Sequence, residues 1–189
     1  MKVLVFTMEK VGSTSLMRAI KSGGHTVDRA YVGNMDFDFH SYERIVTAVR
    51  DPIARNLSWH YESNGEGGPG DRFPLEWIDK YLEPKTGVNV YGTSFPTVKG
   101  WKVYSGYLLI VKTELMSKVL KEALTYFCGE ADYQVEHQAK GGFKFGGEYD
   151  DFIKGSAFHK KLLDRMYESK YAKHFYSPKQ IEALRRKWS

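Results

Sequence analysis

The 189-residue chain has one cysteine, Cys128. An internal disulfide and a multi-cysteine zinc site are both excluded, so the fold must be held by its core alone. Cys128 itself reads as a small buried residue near a helix end. Long apolar runs are missing too. Tyr107 to Val111 is representative of the longest, far short of the roughly 20 residues that a membrane-spanning helix needs. The start, Met1-Lys2-Val3-Leu4, lacks the charged, apolar and small-residue succession of a secretory signal, so a cytoplasmic location is expected. No internal repeat or low-complexity tract occurs, and no long stretch is polar enough to stay disordered.

What the chain does contain suits one domain spanning 1–189, because compact domains run to roughly 100–200 residues. Hydrophobic residues make up 42% and aromatic residues 15%, enough to fill an interior. The 28 basic residues outnumber the 23 acidic ones, for a net charge of +5. That excess suits an anionic ligand, although nucleic acid would make the same demand. Arg185, Arg186 and Lys187 sit beside Ile181, Leu184 and Trp188 at helical spacing, which predicts a terminal amphipathic helix with a basic outer face.

Patterning predicts alternating strands and helices. Lys2 to Met8 is a short β-rich run, and Ser13 to Ile20 reads as a helix stopped by Gly23-Gly24. His25 to Val32 is a second strand. Arg44 to Val49 is a third, nearly continuous in apolar or β-branched residues, as in a strand buried on both faces of a parallel sheet. Asp51 can cap a following helix with Pro52 at its first position and Ile53 to Tyr61 continuing it. Beyond a glycine-rich loop from Asn64 to Asp71, open to reading as a lid or as plain surface, come a helix at Phe73 to Tyr81, a fourth strand at Tyr107 to Lys112 and an amphipathic helix at Thr113 to Phe127. Helices around Lys160 to Tyr171 and Pro178 to Trp188 complete the chain. The expected architecture is a single-domain, three-layer α/β fold with a central parallel sheet flanked by helices.

Two strand-to-helix junctions carry the chemistry. In Glu9-Lys10-Val11-Gly12-Ser13-Thr14-Ser15, free backbone N–H groups and the positive end of a helix dipole can bind phosphate. Gly12 permits the tight turn, the three hydroxyls add donors, and Lys10 brings a mobile charge to the entrance. This is not a Walker A loop, whose lysine directly precedes the hydroxyl residue. At the second junction Arg50 ends a strand, where an arginine suits a phosphate at the carboxyl edge of a sheet, and Ser58 follows two helical turns later. Alone, Arg50 could be a surface ion-pair partner and Ser58 a solvated helix residue.

Together and in this order the two junctions resemble the sulfotransferase superfamily. Lys10 to Leu16 looks like its 5′-phosphosulfate loop, and Val49-Arg50-Asp51-Pro52 with Arg55 and Ser58 looks like its 3′-phosphate element. Carbohydrate sulfotransferases are the nearest in style. His174-Phe175-Tyr176-Ser177 with Glu182 and Trp188 is similar, more loosely, to bacterial putative capsular polysaccharide synthesis proteins of that superfamily. The resemblance implies a P-loop-like fold and a sulfuryl transfer from 3′-phosphoadenosine 5′-phosphosulfate (PAPS) to a hydroxyl acceptor, a glycan or glycolipid by family style. No metal, nucleic acid or membrane span is implied, and with no anchor or signal the expected source is bacterial or viral. Lys10 would contact the bridging oxygen and the sulfuryl group. Gly12, Ser13, Thr14 and Ser15 would hold the 5′-phosphate and Arg50 and Ser58 the 3′-phosphate, with Lys10 and Val11 also part of the cofactor-binding loop.

A base should accept the acceptor's proton, and this superfamily reaches it from beyond the second strand. His40 titrates nearest neutrality and Asp28 stands at a strand end, so these two lead, ahead of Asp36, Asp38 and His137. His40 could equally be an exposed loop residue. Trp59 and Phe143 are candidates to stack on adenine, and the basic glycine-rich segment Lys140 to Lys144 to close over the nucleotide. The competing functions are a P-loop-type nucleotide kinase and a non-catalytic nucleotide- or polyanion-binding protein.

Overall fold

A computed structural model describes residues 1–32, 37–63, 65, 67–135 and 147–189. The segment Lys140 to Lys144 with its Phe143, and also Asp36 and His137, lie outside the described residues. The strands are β1 (Lys2–Phe6), β2 (Thr26–Ala30), β3 (Arg44–Val49), β4 (Trp101–Tyr104) and β5 (Leu108–Lys112). They form one sheet in the order β2-β1-β3-β5-β4. Pairs β1·β2, β1·β3 and β3·β5 are parallel. The interior strands are buried almost without interruption, as their apolar sequences require of strands covered on both faces.

The expectation of a wholly parallel sheet is corrected at one edge, where β4 runs antiparallel to β5 with Trp101 opposite Val111. The intervening Ser105 and Gly106 have φ of 50° and 76°. Two successive left-handed residues make the hairpin turn whose twist matches the flanking strands. Trp-Lys-Val-Tyr is only four residues long, too short a pattern to announce a strand by itself.

Helices follow as α1 (Ser13–Ser22), α2 (Pro52–Glu62), α3 (Phe73–Trp77), α4 (Glu83–Thr86), α5 (Met116–Cys128), α6 (Gly147–Lys154), α7 (Lys160–Tyr167), α8 (Lys170–Phe175) and α9 (Pro178–Trp188). A π-turn at Ile78–Leu82 joins α3 to α4. The chain steps from β1 to β2 in one direction and from β3 to β5 in the other. Right-handed crossovers therefore place α1 and the β3-to-β5 connection on opposite faces of the sheet. Contacts agree: α1 packs beside α5, whereas Trp77 of α3 packs on Phe6 of β1 with ring centroids 4.9 Å apart. The single helix expected over Lys160 to Tyr171 is two, because Ser169 accepts from Ala172 N and starts a new helix.

The C-terminal helices are fastened to the sheet through one carboxylate. Asp51 is 1% exposed. Its Oδ1 accepts from Ile53 N (3.3 Å) and Tyr167 Oη (2.7 Å), and its Oδ2 from Trp188 Nε1 (2.8 Å). Asp51 thus caps α2, as its sequence position predicts, and ties α7 and α9 to the end of β3. Asp51→Ala strands the phenol and the indole N–H, each costing about 1–3 kcal/mol when buried unpaired. Chemical denaturation should show a loss of about 2–6 kcal/mol. Exposed Asp132→Ala should change stability by less than about 0.5 kcal/mol.

Candidate functional site

Strand order reverses direction between β1 and β3, and in open α/β sheets ligands bind outside the carboxyl ends of the strands at such a point. Both sequence motifs emerge there. In the first, Lys10 has φ 68° and Gly12 φ 86°, so the loop passes twice through left-handed backbone. Lys10 holds this conformation without the freedom of glycine, which costs of order 1–3 kcal/mol and marks a backbone fixed by its surroundings. At Gly12 a Cβ would also meet Met116 Cε at 3.3 Å. Gly12 is the N-cap of α1 and offers no side-chain cap. The first-turn N–H groups thus receive no cap from it, at the positive end of the ten-residue helix.

Among the loop hydroxyls, Ser13 Oγ is buried and lies 3.1 Å from Tyr31 Oη, while Thr14 is exposed and Ser15 half-buried. The Val11 carbonyl accepts from Thr113 Oγ1 at 2.7 Å, which pins the loop to the end of β5.

The second motif is joined to the first directly. Arg50 Nη1 donates to the Lys10 carbonyl at 2.8 Å. Tyr171, fully buried on α8, spans the peptide groups of Arg50: its hydroxyl accepts from Arg50 N at 3.1 Å and donates to Arg50 O at 2.9 Å. Burial holds the Tyr171 phenol well above the usual tyrosine range, so it stays a neutral donor. Among the described residues, no carboxylate lies within ion-pair distance of the half-buried Arg50 guanidinium.

From the next helix, Arg55, Ser58 and Glu62 project toward the same loop, since positions i, i+3 and i+7 share a face. Arg55 is 2% exposed and its guanidinium is committed within the protein. It donates to Glu9 O (3.2 Å) and Asn56 Oδ1 (3.2 Å), and pairs with Glu9 (3.4 Å) and Asp71 (3.8 Å). Burial lowers its pKa, against the Glu9 and Asp71 charges that raise it. Arg55 braces the loop and has little left for a ligand. Glu62 ion-pairs with Lys10, the two side chains being 31% and 22% exposed. Ser58 lies half-buried between these anchors.

The end of β5 completes the edge. Glu114 Oε1 accepts from Asp51 N (2.6 Å) and Tyr176 Oη (3.2 Å). Lys112 is 2% exposed and donates to Thr97 O (3.3 Å) and Gln180 Oε1 (3.2 Å), above the Tyr176 ring. Nothing in the sequence marked Glu62, Glu114 or Tyr171, because their partners are distant along the chain.

The two leading base candidates stand elsewhere. Asp28 pairs in register with Leu4, and its carboxylate accepts from Tyr42 Oη at 2.8 Å and lies 3.7 Å from Lys2. The carboxyl end of β1, at Phe6, is two residues further along, roughly 7 Å at about 3.3 Å per residue. His40 is exposed and lines a groove with Tyr42, Ile45, Thr86 and Tyr107, at the opposite, amino edge of the sheet. Asp38 caps the turn that carries it. Trp59 packs against the Arg55 guanidinium at 5.7 Å. At the end of the glycine-rich segment, Asn56 donates to Pro69 O and Asp71 O, and Arg165 to Gly70 O. Cys128 is half-buried and burial pushes its thiol up to about 11, which makes it unreactive.

Lys112 supplies a pH test of the edge. Burial lowers its pKa from 10.5 to about 8. Between those values the unfolded chain binds the proton and the folded chain does not, so this group adds stability as pH rises through that window. Urea unfolding of the parent and Lys112→Met should therefore show the parent gaining on the variant between about pH 7.5 and about pH 10. A pH-independent difference would contradict the burial assigned to Lys112. No family model matches the chain, and neither a curated protein nor a solved structure shows significant similarity to it.

Proposed function

We propose that the protein is a PAPS-dependent sulfotransferase acting on a hydroxyl acceptor, with a P-loop-like nucleotide site at the carboxyl edge of β1 and β3. The observation that carries this reading is the hydrogen bond from Arg50 Nη1 to the Lys10 carbonyl. It joins the two junctions into one basic site, as a ligand with phosphates at both ends of its ribose requires. The uncapped start of α1, from Gly12 to Ser15, suits the 5′-phosphate. Arg50, with Ser58 on the α2 face turned to the loop, suits a 3′-phosphate. Lys10 then stands where charge develops on the departing oxygen. Sulfuryl transfer is an in-line displacement like phosphoryl transfer, so positioning and charge neutralisation do most of the work. The carbohydrate nature of the acceptor rests on the motif resemblance alone.

A kinase has no use for a cation beside the ribose 3′ position. Charge-assisted hydrogen bonds of this kind contribute roughly 1.5–3 kcal/mol each. Calorimetric titration should show 3′-phosphoadenosine 5′-phosphate (PAP), the product nucleotide, binding at least about tenfold more tightly than ADP. Arg50→Ala should remove most of that difference. Equal affinity in the parent protein would reject the sulfotransferase reading in favour of a kinase or a non-catalytic nucleotide binder.

A further inference from the structure

The sheet ends on β4, whose outer side meets no further strand among the described residues. Gly100 O accepts from Lys112 N at 2.7 Å, which makes these two residues a hydrogen-bonded pair of the antiparallel ladder. Such pairs alternate with pairs that exchange no bonds. Trp101 opposite Val111 and Val103 opposite Leu109 are of the second kind, so their N–H and C=O groups point away from β5. Among the described residues, nothing hydrogen-bonds those four groups. An unpaired edge of this kind is a template for another extended chain.

Three further observations gather at the same edge. Val98 and Tyr126 are 84% and 72% exposed, and among the described residues Met1 is the only other large hydrophobic side chain left exposed. Between the strand and α5 lies a groove of about 650 Å³, lined by Lys99 and Trp101 on one side and by Lys121, Glu122 and Tyr126 on the other. Trp101 is 3% exposed and packs on Tyr126 with ring centroids 5.3 Å apart, yet its Nε1–H has no acceptor among the described residues. A buried donor without a partner costs stability until an acceptor reaches it.

Charge selects what the edge can pair with. Residues Thr97 to Tyr104 include Lys99 and Lys102 and no acidic residue. Lys102 Nζ donates to Thr93 Oγ1 and Ser94 O, and Lys99 Nζ lies 3.6 Å from the centre of the Trp101 ring. Neither pairs with a carboxylate among the described residues. A second copy of this edge would set lysine against lysine, which is unfavourable across paired strands. Carboxylates on an incoming strand would meet both ammonium groups.

We propose that the free edge of β4 binds an extended, acidic segment of a partner protein as an added strand, with apolar side chains of that segment in the groove against Trp101 and Tyr126. The peptide groups of Trp101 and Val103 supply the main-chain hydrogen bonds, and Lys99 and Lys102 favour an acidic chain. None of these residues belongs to the nucleotide site, so the inference stands apart from the sulfotransferase reading.

The probe is a capped hexapeptide of alternating glutamate and valine, titrated into the full chain and followed by backbone amide NMR. Saturable shifts at Trp101 and Val103 are expected. A peptide with lysine in place of glutamate should bind at least about tenfold more weakly, and so should a glutamate-valine peptide N-methylated at every residue, which has no N–H to donate to the edge. Val103→Pro removes one outward N–H and none of the bonds to β5, at a place where an edge strand tolerates proline, and should weaken binding by a similar factor. If that variant does not fold, the N-methylated peptide on the parent chain still decides. Absence of binding by the glutamate peptide, equal binding of the lysine peptide, or binding that survives N-methylation would overturn the proposal. So would a dimer in sedimentation that Val103→Pro abolishes, which would assign the edge to a second copy of the chain.

Discussion

A carboxylate with no access to water must find donors within the protein, and Asp51 finds them in three separate elements. It caps α2 through Ile53 N and holds Tyr167 of α7 and Trp188 of α9. The neighbouring Arg50 is gripped at both peptide groups by Tyr171 of α8. A charged group buried in this way is costly unless every lone pair is used. The C-terminal helices therefore belong to the site's frame: by satisfying Asp51 and Arg50 they fix the end of β3, the point from which the Arg50 guanidinium reaches across to the Lys10 loop.

The opposite side of the site is fixed by similar means. Arg55, desolvated and held by Glu9, Asn56 and Asp71, locks α2 to the loop after β1. Thr113 locks the same loop to the end of β5. On the proposed reading, the groups that meet the nucleotide are the first-turn N–H donors of α1, the Arg50 guanidinium and the Lys10 ammonium, which also pairs with Glu62. Preorganised donors of this kind stabilise developing charge without reorganising during the reaction. The left-handed backbone at Lys10 fits the same picture, because strain persists only where surrounding contacts over-determine it.

Local chemistry was legible in the sequence wherever it was local in space. The β-rich start, Gly12 and the Gly23-Gly24 stop define a strand, a loop and a helix, and Asp51-Pro52 announces α2. The antiparallel β4 was not legible: it is four residues long and too short to announce itself. Nor did the residues between β2 and β3 reveal which edge of the sheet they face. That depends on strand order, and the order observed puts His40 by Tyr107, while Asp28 lies inside β2 itself, beside Lys2. Glu62 stayed hidden for the same reason. Its contact with Lys10 spans 52 positions, and those of Asp51 with Tyr167 and Trp188 span 116 and 137. No local pattern encodes separations of that size.

On the proposed reading one nucleotide, charged at both its 3′ and 5′ positions, is held between the β1 loop and Arg50. Backbone amide NMR during titration with PAP tests it most directly. The largest shifts are expected at Lys10 to Ser15, Arg50 and Ser58, with His40 and Tyr107 at the opposite edge unmoved. Shifts centred on the amino edge, or on the basic face of α9 at Arg185 to Lys187 with the Gly12 amide unmoved, would contradict it.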